Sequence, residues 1–222
     1  MGGSGRPPSP PRLRADVKSA LRRPPDFVAR VLGIDPGLVA TGYGVLERAA
    51  AGFAVLGVGV ITTTTAQTFE TRLRIVYDAV RDVLVKHTPD LVVLEDLYAE
   101  YKFPRTALLM AHARGVVCLA AGECGVPVLA LAPAEVKRTV AFNGAAPKQQ
   151  VQHAIGRLLN LAEAPHPSHV ADALALAWTG LSRAGTGNVR LPERAGAENA
   201  PDAGRLIADP SGRAKPGSPR VQ

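Results

Sequence analysis

The sequence predicts an α/β domain built on a mixed five-stranded sheet flanked by helices. Three observations carry that expectation. Five short aliphatic segments, 31–35, 41–47, 53–62, 91–95 and 126–132, are bounded by Pro, Gly or polar residues. The first three follow one another at hairpin spacing, and the last two alternate with stretches of helical periodicity, the order of an α/β domain. A chain of 222 residues that is 46% hydrophobic and 20% charged is also large and apolar enough to bury a real core.

VLGID (31–35) is an apolar run stopped by Pro36-Gly37, so it reads as a buried strand followed by a tight turn. TGYGVLE (41–47) and FAVLGVGVIT (53–62) continue it as a meander, with Gly52 near the connection. Over 68–88, Phe69, Leu73, Val76, Val80, Val83 and Leu84 recur at helical spacing opposite a charged face. After Pro89, LVVLE (91–95) is continuously apolar, as strands buried on both faces of a parallel sheet are. Residues 104–124 read as a helix and VPVLALA (126–132) as the fifth strand. Segments 133–142 and 147–162 are helices begun by proline at a first-turn position. Residues 168–182 form the last helix, with Ser168 as its N-cap. A right-handed crossover sets the first and fourth strands side by side and parallel.

The ends differ in composition. Residues 1–29 are Pro/Gly/Arg-rich and read as a flexible basic arm, or as sequence upstream of the true start codon; 184–222 read as a disordered tail. The folded domain is expected over 30–183. Residues 1–30 carry seven Lys/Arg against two acids and 183–222 seven against four, whereas 31–182 hold twelve basic and thirteen acidic residues. The formal charge of +7 therefore comes from the ends, and any nucleic-acid contact by the middle must rest on local patches. Cys118 and Cys124 are too few and wrongly spaced for a zinc cluster or disulfide framework; no apolar run approaches membrane-span length, and the N-terminus has arginines and prolines where a signal peptide needs a continuous apolar stretch. A cytoplasmic protein without membrane association is the expectation.

Asp35 and Glu95 fall at the carboxyl ends of the first and fourth strands, the edge where open α/β sheets bind ligands. His169 and Asp172 lie three apart on an otherwise apolar helix, so they share a face. Burial of such groups without partners is costly, and a cation removes the cost. Three carboxylates and an imidazole converging from three elements suit a hard divalent metal. Each residue also has a plain structural reading. Asp35 before Pro-Gly fits a turn, either Glu95 or Asp96 is the inward carboxylate, His169 fits a helix cap, and Asp172 fits the helix dipole.

VLGIDPGLVATGYGVLE, LVVLEDLYAEYKFPRTALLMAHARG, PAEVKRTVAFNGAAPKQQVQ and HVADALALA, in that order and spacing, resemble the RuvC Holliday junction resolvases of bacteria over about 31–182. The resemblance implies a ribonuclease H-like fold, a two-fold homodimer, and divalent-metal-dependent nicking of opposing strands at a four-way DNA junction in recombination and repair. It also implies a branch-migration helicase complex as partner. Asp35, Glu95 and Asp172 match the family's catalytic carboxylates. His169 stands where many members carry another aspartate and some a histidine. Tyr98 occupies the place of an aromatic that stacks on a base near the crossover, and Lys137 and Lys148 match basic residues near the scissile phosphate.

The chemistry that follows is phosphodiester hydrolysis with two ions per subunit, Mg²⁺ or Mn²⁺, held by Asp35, Glu95, His169 and Asp172. Asp35 is expected to bridge them; His169 is either a ligand, favouring Mn²⁺, or the acceptor of the water's proton. Lys102, Arg105, Lys137, Arg138 and Lys148 are expected phosphate contacts, with ordinary surface charge as the alternative, and Tyr98 a stacking residue or a core residue. Helix 104–124 is apolar nearly all round, so one face is expected on the sheet and the other on a second subunit. Three other readings compete. An actin-like ATPase needs a second Asp-x-Gly phosphate loop and an adenosine segment that are not found. A ribonuclease H-like RNA-processing nuclease would lack the matched basic and aromatic positions, and a non-catalytic junction binder would lack a carboxylate.

Overall fold

The computed structural model describes residues 29–50, 52–96 and 104–185. Its strands are β1 (Arg30–Asp35), β2 (Ala40–Ala49), β3 (Gly52–Thr62), β4 (Leu91–Glu95) and β5 (Val128–Leu131). Its helices are α1 (Phe69–His87), α2 (Pro104–Glu123), α3 (Pro133–Ala141), α4 (Lys148–Leu158) and α5 (Ser168–Gly185). The five strands form one sheet in the order β3-β2-β1-β4-β5, with β1 at the centre. β1–β2 and β2–β3 pair antiparallel, while β1–β4 and β4–β5 pair parallel, as the crossover argument requires. The mixed five-stranded α/β expectation is met.

Strand parity divides the core. Val31 in β1 and Leu91 and Val93 in β4 face the layer made by α3, α4 and α5. Leu32, Ile34, Val92 and Leu94, the residues between, face α1 and α2 through Val76, Val80, Leu84, Val117, Ala120 and Ala121. Because side chains alternate, Asp35 continues the first set and so does Glu95, while Asp96 falls on the opposite parity. The Asp90 carboxylate accepts the N–H groups of Ala29 and Arg30 at 3.0 Å each, which aligns the entry to β1 beside β4. With Ile34 opposite Leu94 in the parallel ladder, one more step places Asp35 beside Glu95.

Some element ends differ from expectation. β5 begins at Val128 rather than Val126, although the Pro127 carbonyl still accepts from Val92 N–H at 2.9 Å. α4 stops at Leu158 because Asn160 turns into left-handed backbone, φ 51°, where Asn is tolerated. Pro147 is the residue before α4 and not its first turn, and Ser168 is the first residue of α5 and not its cap. Pro133 does open α3. Among the described residues no helix is long and apolar enough to cross a membrane.

Candidate active site

α5 reaches the carboxyl edge of the sheet because the strands beneath it lack side chains where it crosses. A Cβ on Gly33 would lie 2.0 Å from the Ala173 carbonyl oxygen, and one on Gly42 would lie 2.1 Å from the His169 carbonyl oxygen. Only glycine allows a helix backbone this close to β1 and β2. The first turns of α5 are thereby lowered onto the end of β1, and His169 and Asp172 arrive beside Asp35. These glycines were not singled out from the sequence. Their signal was there, since isolated Gly inside a strand pattern marks close backbone approach.

The turn after Asp35 is fixed from within. Thr41 is fully buried; its Oγ1 donates to the Gly37 carbonyl at 2.6 Å and accepts the Gly37 N–H at 3.2 Å. Arg114 of α2 donates to the Glu95 carbonyl at 2.7 Å, tying down the end of β4. Neither Thr41 nor Arg114 was a candidate in the sequence, where both look like ordinary polar residues.

Asp35, His169 and Asp172 each present an atom within 4.8 Å of the others, close enough for one metal ion. His169 Nδ1 lies 2.7 Å from Asp35 Oδ2. Lys148 Nζ lies 2.6 Å from Asp172 Oδ2. Glu95 stands across a cavity of about 230 Å³ whose lining also includes Lys137, Lys148 and Asp172. Burial raises the Glu95 carboxyl to about 7, helped by the charges of Asp35 and Asp172 and opposed by Lys137 and Lys148. Burial also raises Asp35, with the Asp172 charge adding to it, while the His169 hydrogen bond pulls it back. Carboxylates that resist ionisation because they are buried beside one another are what a cation site looks like before the cation is counted. Three carboxylates and an imidazole fit a divalent ion by their chemistry.

The structure thus brings together Asp35, Glu95, His169, Asp172, Lys137 and Lys148. Glu95 rather than Asp96 lines the cavity. Arg138 is exposed on α3 and does not line it. Tyr98 and Lys102 lie outside the described residues, as does the side chain of Arg105.

Comparison with known proteins agrees with this geometry. Residues 31–180 match the family described as crossover junction endodeoxyribonuclease RuvC. The relative of that name from Rhodopirellula baltica is 44% identical over 156 residues, covering 70% of this chain and 88% of its own. The one from Carboxydothermus hydrogenoformans is 41% identical over 156 residues, covering 70% of this chain and 98% of its own. Among solved structures, T. thermophilus RuvC in complex with Holliday junction substrate is similar at TM-score 0.69 and 35% identity, covering 74% of this chain and 99% of that one. The sheet order, the site at its carboxyl edge and these matches lead to one assignment: this chain belongs to the RuvC family of crossover junction endodeoxyribonucleases.

Proposed function

We propose that this protein resolves four-way DNA junctions by divalent-metal-dependent hydrolysis of phosphodiesters on two opposing strands. The observation that carries the reading is the meeting of Asp35, His169 and Asp172 within 4.8 Å at the carboxyl edge of the sheet. Glu95, Lys137 and Lys148 line one cavity with Asp172. The actin-like ATPase and RNA-processing readings have no comparable support. The catalytic unit is residues 30–183.

Asp35, Glu95, His169 and Asp172 are the residues that would hold Mg²⁺ or Mn²⁺, two ions per subunit. Bound there, the ions supply water activation near neutral pH and cover for the charge on the leaving oxygen. The chain's own groups do the rest. Asp35 Oδ2 accepts from His169 Nδ1–H, which holds the imidazole in one orientation and leaves its lone pair on Nε2. That nitrogen serves as ligand or as acceptor of a proton from water. Lys148, held at Asp172, and Lys137 put positive charge where a phosphate enters. Arg138, exposed on α3, Lys102 and Arg105 keep their expected role as phosphate contacts, and Tyr98 the stacking role that the family resemblance implies.

A homodimer supplies the two sites that two strands require. α2 buries Val117, Ala120 and Ala121 in the core layer shared with the sheet and α1, while Leu108 and Leu119 remain 62% and 55% exposed. Eleven residues apart, these two leucines return to the same side of the helix, about 16 Å along its axis. That face is the proposed contact with a second copy. A branch-migration helicase complex as partner and a cytoplasmic location belong to the same reading. The test is a gel assay on an end-labelled four-way junction with purified full-length protein. Paired nicks that need Mg²⁺ or Mn²⁺ are expected; equal cutting of linear duplex, or cutting unaffected by chelation, would overturn the proposal.

A further inference from the structure

Phe142 is the most exposed large apolar side chain among the described residues, at 87%. A lone exposed apolar residue is ordinary. This one also caps α3 with φ 55° and ψ 15°, a left-handed conformation that is an outlier for a bulky residue. The ring contributes little packing and its backbone would suit glycine better, so the fold itself gains nothing from it. Such outliers point to function.

The turn that displays the ring is built. Ala146 N–H donates to the Asn143 carbonyl at 3.0 Å, and Ala145 N–H donates to Asn143 Oδ1 at 2.9 Å. Gly144 lies so close to α3 that a Cβ there would be 3.2 Å from the Ala134 carbonyl oxygen. Phe142 is therefore held out by a defined turn. It stands five residues after Lys137 and six before Lys148, the two lysines of the cavity. Between 133 and 150 the sole acid is Glu135, and Arg183 pairs with it at 2.9 Å. The helix that Phe142 caps carries Lys137, which lines the cavity, and Arg138, which is exposed.

We propose that Phe142 contacts DNA, its ring stacking on a nucleobase of the strand that enters the cavity, while Lys137 and Arg138 hold flanking phosphates. The inference rests on the nuclease reading above. An exposed aromatic at the end of a helix that carries cations is a combination that suits unpaired nucleotides, phosphate to cation and base to ring.

The test uses the full chain and a four-way junction carrying 2-aminopurine at each of three nucleotides on either side of the cut. Phe142→Gly suits the positive φ, and Phe142→Trp keeps a ring. Phe142→Gly should bind the junction about 5- to 150-fold more weakly. It should also lose the fluorescence change at one reporter position while melting no lower than wild type. Phe142→Trp should recover both affinity and fluorescence. Wild-type affinity and fluorescence in Phe142→Gly would overturn the inference while leaving the nuclease reading intact. So would a binding defect that vanishes once sedimentation shows equal dimer concentrations, since that makes Phe142 a subunit contact. A wild-type protein that neither binds nor cuts the junction would overturn the nuclease reading, and this inference with it.

Discussion

Asp35 and Glu95 are carboxylic acids whose behaviour is set by position more than by identity. Glu95 has an ordinary value of 4.5 and is raised to about 7 in the fold, first by burial and then by Asp35 and Asp172. A raised carboxyl favours the folded state while protonated, so that contribution is complete below 4.5 and is lost as pH climbs through 7. In chelator, Glu95→Gln should therefore melt higher than wild type at pH 8 and lose this advantage at pH 5. A shift of this size corresponds to roughly 3 kcal/mol at 1.36 kcal/mol per unit. Differential scanning calorimetry across pH checks it; identical pH dependence in the two proteins would mean Glu95 is not the desolvated group. Asp35→Asn should lose cleavage by several orders of magnitude and keep junction affinity, because it removes a proposed metal ligand and leaves the lysines in place; single-turnover rates and gel shifts separate the two. His169→Asp should move the metal preference of cleavage from Mn²⁺ toward Mg²⁺, since it replaces a ring nitrogen with an oxygen donor in the proposed ligand set. Identical metal preferences in single-turnover rates would place His169 beside the reaction and not in it. All four residues were legible beforehand because strand ends and helix spacing are local patterns. The choice of Glu95 over Asp96 was not, since it needs the parity of β4 against a particular helix layer.

The contact of α5 with β1 and β2 depends on missing side chains. Gly42→Ala would set a methyl 2.1 Å from the His169 carbonyl oxygen, and Gly33→Ala one 2.0 Å from that of Ala173. Both partners are backbone, which cannot rotate away, so the helix must shift. Each substitution should cost about 1–3 kcal/mol, the usual range for overpacking. Gly42→Ala should lose more activity per unit of stability than Gly33→Ala, because it displaces the residue that carries the imidazole. Chemical denaturation alongside cleavage rates tests this, and proportional losses in the two variants would count against it. The sequence marked α5 and the glycine-bearing strands as elements. It did not show that they touch, because that contact joins residues more than a hundred positions apart. Element ends were misjudged for a related reason: α4 ends where Asn160 takes a left-handed φ of 51°, a choice no periodicity records.

A whole molecule that cuts two strands needs two sites, and the outer face of α2 is where a second copy is expected. Leu108→Glu combined with Leu119→Glu should yield a folded monomer, since both side chains are already more than half exposed. Sedimentation should show half the wild-type mass, with the melting temperature little changed. Junctions should then be nicked singly and not in pairs. A double variant that sediments and nicks as wild type would move the interface elsewhere. Charge acts at the same level. The segment 31–182 holds thirteen acids against twelve bases, so junction binding should fall steeply with salt only if the local lysines and the basic ends engage phosphate.

Read alone, the chain specified five strands and five helices in order, a mixed sheet with β1 beside β4, and carboxylates at the sheet's carboxyl edge. Hydrophobic period, proline and glycine punctuation and crossover handedness are enough for that, because each acts over a few residues or through a general rule of chain connection. Four motif blocks in sequence were enough to indicate the family. Three features depended on packing: which carboxylate of Glu95-Asp96 turns inward, how near α5 comes to the sheet, and which lysines share the cavity with the acids. The acid cluster also acquired its raised carboxyls only there. Desolvation and mutual repulsion exist only once Asp35, Glu95 and Asp172, distant along the chain, are buried in one place.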